Sequence, residues 1–245
     1  MNFSGIPARS LIGRSLRLPL RLIPRDACIP ILQGRLRGMR WIAGSSIHGC
    51  WLGSYEYAKR RLFERTIPAG SVVFDIGAHV GFYTLLASVL VGPTGSVFAF
   101  EPVPSNVHYL RKHLCLNSVQ NVTVIEAAVS DADGFCAFQE GAISLTGHLS
   151  ATGGLHVQAV RLDRLVSEGA IPSPQYIKID VEGAEARVLR GATELLARDH
   201  PVVFLSTHGR EVNADCRGFL GSLGYTVEPI GAESVQEASE ILSYV

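Results

Sequence analysis

The stretch VVFDIGAHVGFYTLLA, residues 72–87, joins an apolar run to an acid, two glycines and a helical pattern. A buried strand that ends at Asp75 and Gly77 and opens a helix after Gly81 is how α/β folds form a ligand-binding turn. A dinucleotide-binding turn carries three glycines, which let the backbone approach a pyrophosphate. Here His79 stands where the second glycine would lie, so the pattern disfavours a nicotinamide dehydrogenase.

Glu101 indicates which class of ligand the turn would hold. It follows Gly81 by 20 residues and ends the next apolar run, SVFAF. An acid at this position of an α/β fold accepts hydrogen bonds from a ribose diol. A nucleoside without a pyrophosphate is typical of S-adenosylmethionine, which is the cofactor that these two features predict.

The segment QYIKIDVEGAE, residues 175–185, places ionisable groups on a strand that should be apolar. Strands of a parallel sheet are covered on both faces, yet Lys178, Asp180 and Glu182 alternate with apolar residues. We interpret Lys178 as half of a buried Lys–Asp pair, because an unpaired buried charge is costly. Asp180 and Glu182 lie at the exit of the strand, where they can face a substrate or a metal.

His208 directly follows the apolar run 202–206 and therefore belongs to the same edge of the predicted sheet. With Asp180 and Glu182 it forms a candidate group for catalysis and for metal binding. Such a group can remove a proton from a hydroxyl, or it can bind Mg²⁺, which two carboxylates suit and one histidine tolerates. Both possibilities stay open. His200, at the opposite end of that run, is not a candidate.

The elements that position these residues are strands and helices, which alternate along the chain from residue 72. It predicts an α/β fold with a doubly wound, mostly parallel sheet, whose ligands lie at the carboxyl ends of its strands. Strands are predicted at 72–76, 96–100, 121–129, 176–181 and 202–206, an inserted hairpin or loop at 134–162, and a terminal hairpin from 224–230 and 241–245. One helix is predicted to carry Val188, Leu189, Ala192, Leu195 and Leu196 on one face, and two short strands are predicted around Gly34 and Gly38.

The formal charge of the chain, zero over 245 residues, hides an asymmetry. Residues 1–70 hold twelve of the 22 Lys and Arg and three of the 22 acids, so this segment carries +9 and the remainder −9. The asymmetry predicts a basic segment that docks on an acidic body, or peripheral contact with a membrane surface or an anionic substrate. We favour docking, because residues 31–56 are apolar and marked by glycines.

The composition indicates in which compartment the protein works and which partners it has. The five cysteines are scattered and odd in number, which suits a reducing compartment, so we expect a cytoplasmic protein. No apolar stretch is long enough to span a membrane, and arginines interrupt every apolar run near the N-terminus, although that region resembles a transit peptide in composition. We expect no nucleic-acid partner, and homo-oligomerisation stays open.

Four ordered motifs, GCWLGSYE, FDIGAHVGFYT, FAFEPVPSN and IKIDVEGAE, resemble the FkbM family of S-adenosylmethionine-dependent O-methyltransferases. The resemblance covers roughly residues 48–230. It implies a class I methyltransferase fold, which is Rossmann-like, and methylation of a hydroxyl on a sugar, a glycolipid or a related natural product. We predict a methyltransferase domain over residues 61–245 and a basic cap over residues 1–60 on the acceptor side.

By position, the resemblance implies roles for residues of the motifs FDIGAHVGFYT and FAFEPVPSN and for a few residues after them. The residues expected around the methionine part of the cofactor are Asp75, Gly77, Ala78, His79 and Gly81, with Tyr83 and Thr84 at the start of a helix whose amino end can receive its carboxylate. Glu101 matches the ribose acid, beside Pro102 and Asn106, while Ala127, Ala128 and Val129 flank the adenine and Asp180 also contacts the cofactor. Trp51 and Tyr55 would offer an acceptor a flat aromatic surface.

The chain also departs from the family pattern. His79 and His113 stand where the family commonly has Asn, which should not abolish cofactor binding. Ser206 stands where the family often has Glu, which puts the role of that acid in doubt, while His208 is retained. Two alternatives remain. A methyltransferase with a nitrogen or carboxyl acceptor would keep all cofactor residues. In a non-catalytic S-adenosylmethionine-binding module, Asp180 and His208 would have no catalytic role.

Overall fold

The N-terminal segment folds into short elements that pack on the rest of the chain. The computed structural model describes residues 19–140, 147–149, 155–231 and 238–245. The elements of the segment are β1 (Cys28–Pro30), β2 (Arg40–Ile42), α1 (His48–Leu52) and α2 (Tyr57–Thr66). Two short strands are predicted around Gly34 and Gly38; the structure places them at 28–30 and 40–42, on either side of these glycines, and pairs them antiparallel.

The chain then alternates between strands and helices. The elements in chain order are β3 (Val72–Ile76), α3 (Phe82–Val91), β4 (Ser96–Phe100), α4 (Pro104–Leu116), β5 (Val122–Ile125), β6 (Ala128–Val129), β7 (Gly134–Glu140), β8 (Gly147–Leu149), β9 (Leu155–Val160), α5 (Leu162–Ser167), β10 (Tyr176–Ile179), α6 (Glu185–Arg190), α7 (Thr193–Asp199), β11 (Val202–Ser206), α8 (Arg210–Ser222), β12 (Thr226–Pro229) and β13 (Glu240–Tyr244). The predicted strands 72–76, 96–100 and 202–206 have the bounds that the sequence pattern indicates.

The central sheet has seven strands in the order β12-β13-β11-β10-β3-β4-β5. Strands β11, β10, β3, β4 and β5 run parallel, and β13 is antiparallel to both of its neighbours. This arrangement confirms the predicted doubly wound, mostly parallel sheet and the terminal hairpin. The strand order reverses between β3 and β10, and a ligand of such a sheet lies in the crevice that this reversal leaves at the carboxyl ends of the strands.

Three local predictions differ from the structure. The predicted strand 121–129 divides, because β5 ends at Ile125 and β6 joins a second sheet of order β6-β9-β7-β8, which the predicted insert forms. The predicted strand 176–181 ends earlier: the N–H of Asp180 still donates to the carbonyl of Ile76 at 3.0 Å, after which the chain turns away. The single predicted helix is two, α6 and α7. They meet at Gly191, where a Cβ atom would lie 1.9 Å from the carbonyl oxygen of Ser130.

The N-terminal segment and the sheet share one core. Trp41 and Phe63 have no exposed surface, and they belong to the same buried cluster as Val73 of β3 and Leu85 of α3. The predicted domain boundary after residue 60 falls inside α2. The described part of the segment is therefore integral to the packed body. None of the described helices is long and apolar enough to cross a bilayer.

Candidate active site

A cavity of about 390 Å³ lies at the carboxyl ends of β3, β4 and β10. Its size is typical of a site for a small molecule. The turns after these strands and the N-terminal segment form its wall. The residues that they contribute include Gly77, Ala78, His79 and Val80 after β3, Glu101, Pro102 and Val103 after β4, Asp180, Val181 and Glu182 after β10, and Ser46, Ile47, Cys50 and Tyr55 from the N-terminal segment.

The turn after β3 packs directly onto the turn after β10. Gly77 has a φ of +74°, and a Cβ atom on it would lie 1.9 Å from the carbonyl oxygen of Asp180. Only glycine fits this conformation together with so close an approach. The ammonium group of Lys178 donates to the carbonyl of Gly77 at 2.8 Å. These contacts fix the two turns against each other at the point where the strand order reverses.

Glu101 organises the wall at the end of β4. Its carboxylate accepts hydrogen bonds from the backbone N–H groups of His79 at 2.8 Å and Val103 at 3.0 Å, and from the Asn106 amide at 3.1 Å. Burial raises the pKa of Glu101, although these bonds oppose that shift. The amide oxygen of Asn106 is buried and has no hydrogen-bond partner among the described residues. A ribose hydroxyl beside Glu101 would supply the donor that this oxygen lacks.

An apolar surface adjoins Glu101 and Asn106. The cavity-lining residues on it are Phe100, Val103, Ala127, Ala128 and Val129. An adenine ring suits a wall of this kind, because its faces are apolar. The cavity thus combines acceptors for a ribose with an apolar surface for a base, and its residues fit the nucleoside part of S-adenosylmethionine.

Three predicted cofactor residues, Asp75, Gly81 and Thr84, do not line the cavity. Asp75 has no exposed surface; its carboxylate accepts a hydrogen bond from the Thr84 hydroxyl at 2.6 Å and lies 3.2 Å from the ammonium of Lys178. Gly81 packs on Leu110, since a Cβ atom on it would lie 2.4 Å from that side chain. These residues support the turn after β3 from the side that faces away from the cavity. The interpretation of Lys178 as half of a buried Lys–Asp pair is confirmed.

The candidate catalytic group does come together. Asp180, Glu182 and His208 each offer a ligand atom, and these atoms lie within 4.8 Å of one another. His208 Nε2 is 3.4 Å from Glu182 Oε2 and 3.8 Å from Asp180 Oδ1. Glu182 has a φ of +54°, a backbone strain that in folded proteins is concentrated at functional sites. Two carboxylates and an imidazole so placed fit a divalent cation.

Glu185 is a site residue that the sequence reasoning missed. It has no exposed surface, and its Oε1 atom accepts from the N–H of Gly183 at 2.9 Å and from His208 Nδ1 at 2.8 Å. The carboxylate can only accept, so it fixes the proton of His208 on Nδ1 and turns Nε2 toward Asp180 and Glu182. The sequence offers one hint, a second acid directly after the strand exit, but nothing in it pairs Glu185 with His208.

The charges around this group decide which side chain can accept a proton. Burial alone would raise the pKa of Asp180, but Lys178, Lys59 and His208 lower it below its ordinary value. The hydrogen bond that His208 donates to Glu185 raises the pKa of His208 to about 9, so without a metal its imidazole is protonated at neutral pH. Burial raises the pKa of Glu182. Glu182 is therefore the carboxylate whose basicity best suits it to accept a proton.

The aromatic prediction for the N-terminal segment holds for one residue of two. Tyr55 lines the cavity beside Phe82 and Tyr83. Trp51 is only 4% exposed and does not line the cavity; it packs in the core, where its indole N–H donates to His48 at 3.3 Å. The surface predicted from Trp51 is wrong, because burying the large ring of Trp51 in the core contributes more than exposing it at a rim.

Comparison with known proteins finds a family match. Residues 75–227 match the family described as methyltransferase FkbM domain. Relatives are the hexuronic acid methyltransferase AglP of Haloferax volcanii, 29% identical over 56% of each chain, and the 31-O-demethyl-FK506 methyltransferase FkbM of Streptomyces tacrolimicus, 30% identical over 64% of this chain and 70% of that one. The 2-O-methyltransferase NoeI of Sinorhizobium fredii is 28% identical over 56% of this chain and 62% of its own.

A solved structure resembles this fold. Methyltransferase FkbM from Methylobacillus flagellatus superimposes with a TM-score of 0.56 at 18% identity, over 80% of this chain and 50% of that one. The fold is thus that of the class I methyltransferases. The chain spans 56% of the length of the archaeal relative, 62% of that of the rhizobial relative and 50% of that of the solved structure.

Proposed function

Since this chain belongs to the FkbM methyltransferase family, we propose that it transfers a methyl group from S-adenosylmethionine to a hydroxyl of a sugar, a glycolipid or a related natural product. One observation carries the proposal: a single cavity has the nucleoside-accepting Glu101 on one wall and Asp180 and Glu182 on another. The names of the relatives, which specify a hexuronic acid, 31-O-demethyl-FK506 and a 2-O position, support an oxygen acceptor of this kind.

The residues of the cavity would have different roles in such a reaction. S-adenosylmethionine would supply an electrophilic methyl group in an in-line displacement: the bond from the methyl carbon to the sulfonium sulfur breaks as the bond to the acceptor oxygen forms, and S-adenosylhomocysteine leaves. Glu101 and Asn106 hold the ribose, and the turn around Gly77 sets the distance between the nucleoside and the carboxylates after β10. Tyr55 and Ile47, on the N-terminal side of the cavity, exclude water and present an apolar surface to the acceptor. Holding the two reactants in place supplies much of the rate.

The acceptor hydroxyl must also lose its proton. Glu182 takes this proton, since it lines the cavity and its pKa is raised, whereas Asp180 is the weaker base. With a divalent cation such as Mg²⁺ on Asp180, Glu182 and His208, Glu182 would be a ligand instead of the base: the cation would supply stabilisation of the alkoxide charge, and the proton would pass to solvent. Its binding would displace the proton that His208 otherwise carries on Nε2.

A labelling experiment tests the acceptor class. The protein is incubated with S-adenosylmethionine labelled in the methyl group and with oligosaccharide and polar-lipid fractions, and the products are treated with mild alkali. We expect label that resists alkali, as an ether methyl does. Label released as methanol would indicate a carboxyl acceptor, and label on an amine would indicate a nitrogen acceptor. Binding of S-adenosylhomocysteine with no transfer to any fraction would favour a binding module.

A chelation experiment tests the metal. We expect EDTA to abolish transfer and Mg²⁺ or Mn²⁺ to restore it. The affinity for S-adenosylhomocysteine should change little, because Glu101 and Asn106 lie on a different wall and because Lys59 and Lys178 contact Asp180 with or without a metal. Calorimetry with Mn²⁺ should show binding that Asp180→Asn weakens. Full transfer after exhaustive chelation would mean that Glu182 works without a metal.

A further inference from the structure

Lys59 is a buried cation that the proposed chemistry does not use. It lies on α2 and is 2% exposed. Its ammonium group is 2.6 Å from Glu56 Oε2 and donates to the Ser206 hydroxyl at 2.7 Å and to Glu240 Oε1 at 3.0 Å. Two hydrogen bonds and one ion pair thus join the ammonium group to β11, to β13 and to the N-terminal segment. A cation this deeply buried is retained only where negative charges compensate it.

The same ammonium group reaches the candidate active site. Lys59 Nζ lies 3.5 Å from Asp180 Oδ2, and Lys178 Nζ lies 3.9 Å from the same oxygen. Both ammonium groups face the ring of Tyr83, at 5.2 and 5.6 Å from its centroid. Asp180 therefore has one oxygen between two lysines and the other toward His208. Its orientation depends on both cations.

The charge balance makes Lys59 hard to replace. Four carboxylates contact these two lysines, namely Glu56, Asp75, Asp180 and Glu240. Without Lys59, Glu56 and Glu240 lose their cation, and Asp180 is left to compete with Asp75 for Lys178. Lys178 also donates to the carbonyl of Gly77, whose turn touches the backbone of Asp180. A change at Lys59 is thus relayed to the cofactor-facing turn.

We propose that Lys59 is a positioning residue of the cofactor site: it holds the Asp180 carboxylate, and through it the Gly77 turn, in the arrangement that binds the cofactor. The inference rests on the proposed use of S-adenosylmethionine. It goes beyond that proposal, because it makes α2 a working part of the site in addition to a cover over the acceptor. Residue Lys59 acts through Asp180 and does not itself touch the reactants.

Calorimetry with S-adenosylhomocysteine tests the proposal without any acceptor. Lys59→Met should weaken binding roughly tenfold, within the range of coupling between contacting residues, and Lys59→Arg should retain most of the affinity. Arg60→Met is the matched control. Arg60 is the next residue of the same helix and is 5% exposed, but its ion pair is with Glu64, away from the cavity. A merely structural role predicts that both methionine variants lower the melting temperature and leave the affinity unchanged.

A double-mutant cycle separates action through Asp180 from a general loss of order. If Lys59 works through Asp180, Lys59→Met should have little further effect on affinity in an Asp180→Asn background. Equal losses in both backgrounds would overturn the proposal, as would an unchanged affinity in folded Lys59→Met. Should Lys59→Met not fold, Lys59→Met with Glu240→Gln, compared with Glu240→Gln alone, removes the surplus negative charge. A wild-type protein that does not bind S-adenosylhomocysteine would count against the proposed function and this inference together.

Discussion

Glu101 is the residue on which the cofactor depends most. Its carboxylate joins the turn after β3, through the N–H of His79, to the start of α4, through Val103 and Asn106. It is 4% exposed and lines the cavity, so that the exposed remainder faces the space where a ribose would bind. A carboxylate that already accepts three protein donors is rigid, and a rigid acceptor loses little entropy when a ligand binds.

Glu101→Gln should weaken the binding of S-adenosylhomocysteine by about 1.5–3 kcal/mol, the usual contribution of a hydrogen bond to a charged group. Titration calorimetry measures the loss, and circular dichroism verifies the fold. Glu126→Gln is the control, since Glu126 carries the same carboxylate on a surface pair with Arg111, 54% exposed. Unchanged affinity in folded Glu101→Gln would remove Glu101 from the cofactor site.

Residues adjacent to an apolar run could be predicted from the sequence, and residues brought in from a distance could not. Asp180 and His208 each follow a strand, so the edge of the sheet where they meet is readable from the alternation alone. Lys59 and Glu240 reach Asp180 and Ser206 from opposite ends of the chain. Their contacts depend on how α2 and β13 pack, which no local spacing encodes. Asp75 was predicted to contact the cofactor, and it does lie at the end of β3 as expected. Its carboxylate instead contacts Lys178 and Thr84, which the spacing of the sequence does not show.

At the scale of the elements, the turn after β3 is the part of the fold that tolerates least change. Gly77 combines a left-handed φ with contact to the carbonyl of Asp180. The sequence predicted the turn from its glycines, but the close approach to β10 became visible only in the structure, because it depends on the sheet order. The break between α6 and α7 at Gly191 was missed for the same reason.

Gly77→Ala should abolish binding of S-adenosylhomocysteine, because the new Cβ atom would have to displace the turn after β10. Gly70→Ala is the matched control. Gly70 has a φ of +84°, so alanine is strained there too, but its nearest neighbour would lie 3.6 Å away. Both variants should lose roughly 1–3 kcal/mol of stability from the backbone strain. Thermal melting with and without ligand measures both effects, and equal ligand binding in the two variants would contradict the role of the turn.

His113 links three elements. Its Nε2 atom accepts from the N–H of Ile42 in β2 at 3.1 Å, its Nδ1 atom donates to the carbonyl of Val80 at 2.8 Å, and its ring stacks on Trp41 with the centroids 3.9 Å apart. A protonated Nε2 atom can no longer accept the bond from Ile42. Burial lowers the pKa of His113 from 6.5 to about 4. The neutral ring is thus part of the seam between the N-terminal segment and the cofactor-facing turn.

The stability of the fold should therefore fall in mild acid. The unfolded chain binds a proton at His113 below pH 6.5 and the folded chain only near pH 4, so stability is fully present above pH 6.5 and declines between these values. The decline attributable to His113 is about 3 kcal/mol. Urea unfolding at several pH values, compared with His113→Gln, isolates it. A variant whose stability declines as steeply as that of the wild type would refute this assignment.

At the scale of the whole molecule, the basic residues that the structure describes in the N-terminal segment form two groups. Within the N-terminal segment, Lys59 and Arg60 are buried and paired. Lys59 reaches Asp180 and Glu240 of the acidic body, whereas Arg60 pairs with Glu64 of its own helix. A second group is exposed and forms no ion pair with any residue that the structure describes: Arg25, Arg35, Arg37, Arg40, Arg61 and Arg65. The largest buried side chains of the segment, Trp41 and Phe63, are in the core. The predicted docking therefore accounts for the described part of the segment, and residues 1–18 lie outside the described residues.

Truncation and liposome sedimentation decide between docking and membrane contact. Deleting residues 1–25 should leave the binding of S-adenosylhomocysteine intact, whereas deleting residues 1–50 removes Trp41 and the Ile42 partner of His113 and should destabilise the fold. Attraction to an anionic surface is worth roughly 1 kcal/mol per basic residue and weakens with salt. Because the buried contacts hold the segment to the protein, we expect no salt-sensitive sedimentation with anionic liposomes that depends on residues 1–25. Strong binding that salt and this deletion both remove would instead assign the basic segment to a membrane surface, where a glycolipid acceptor would be presented.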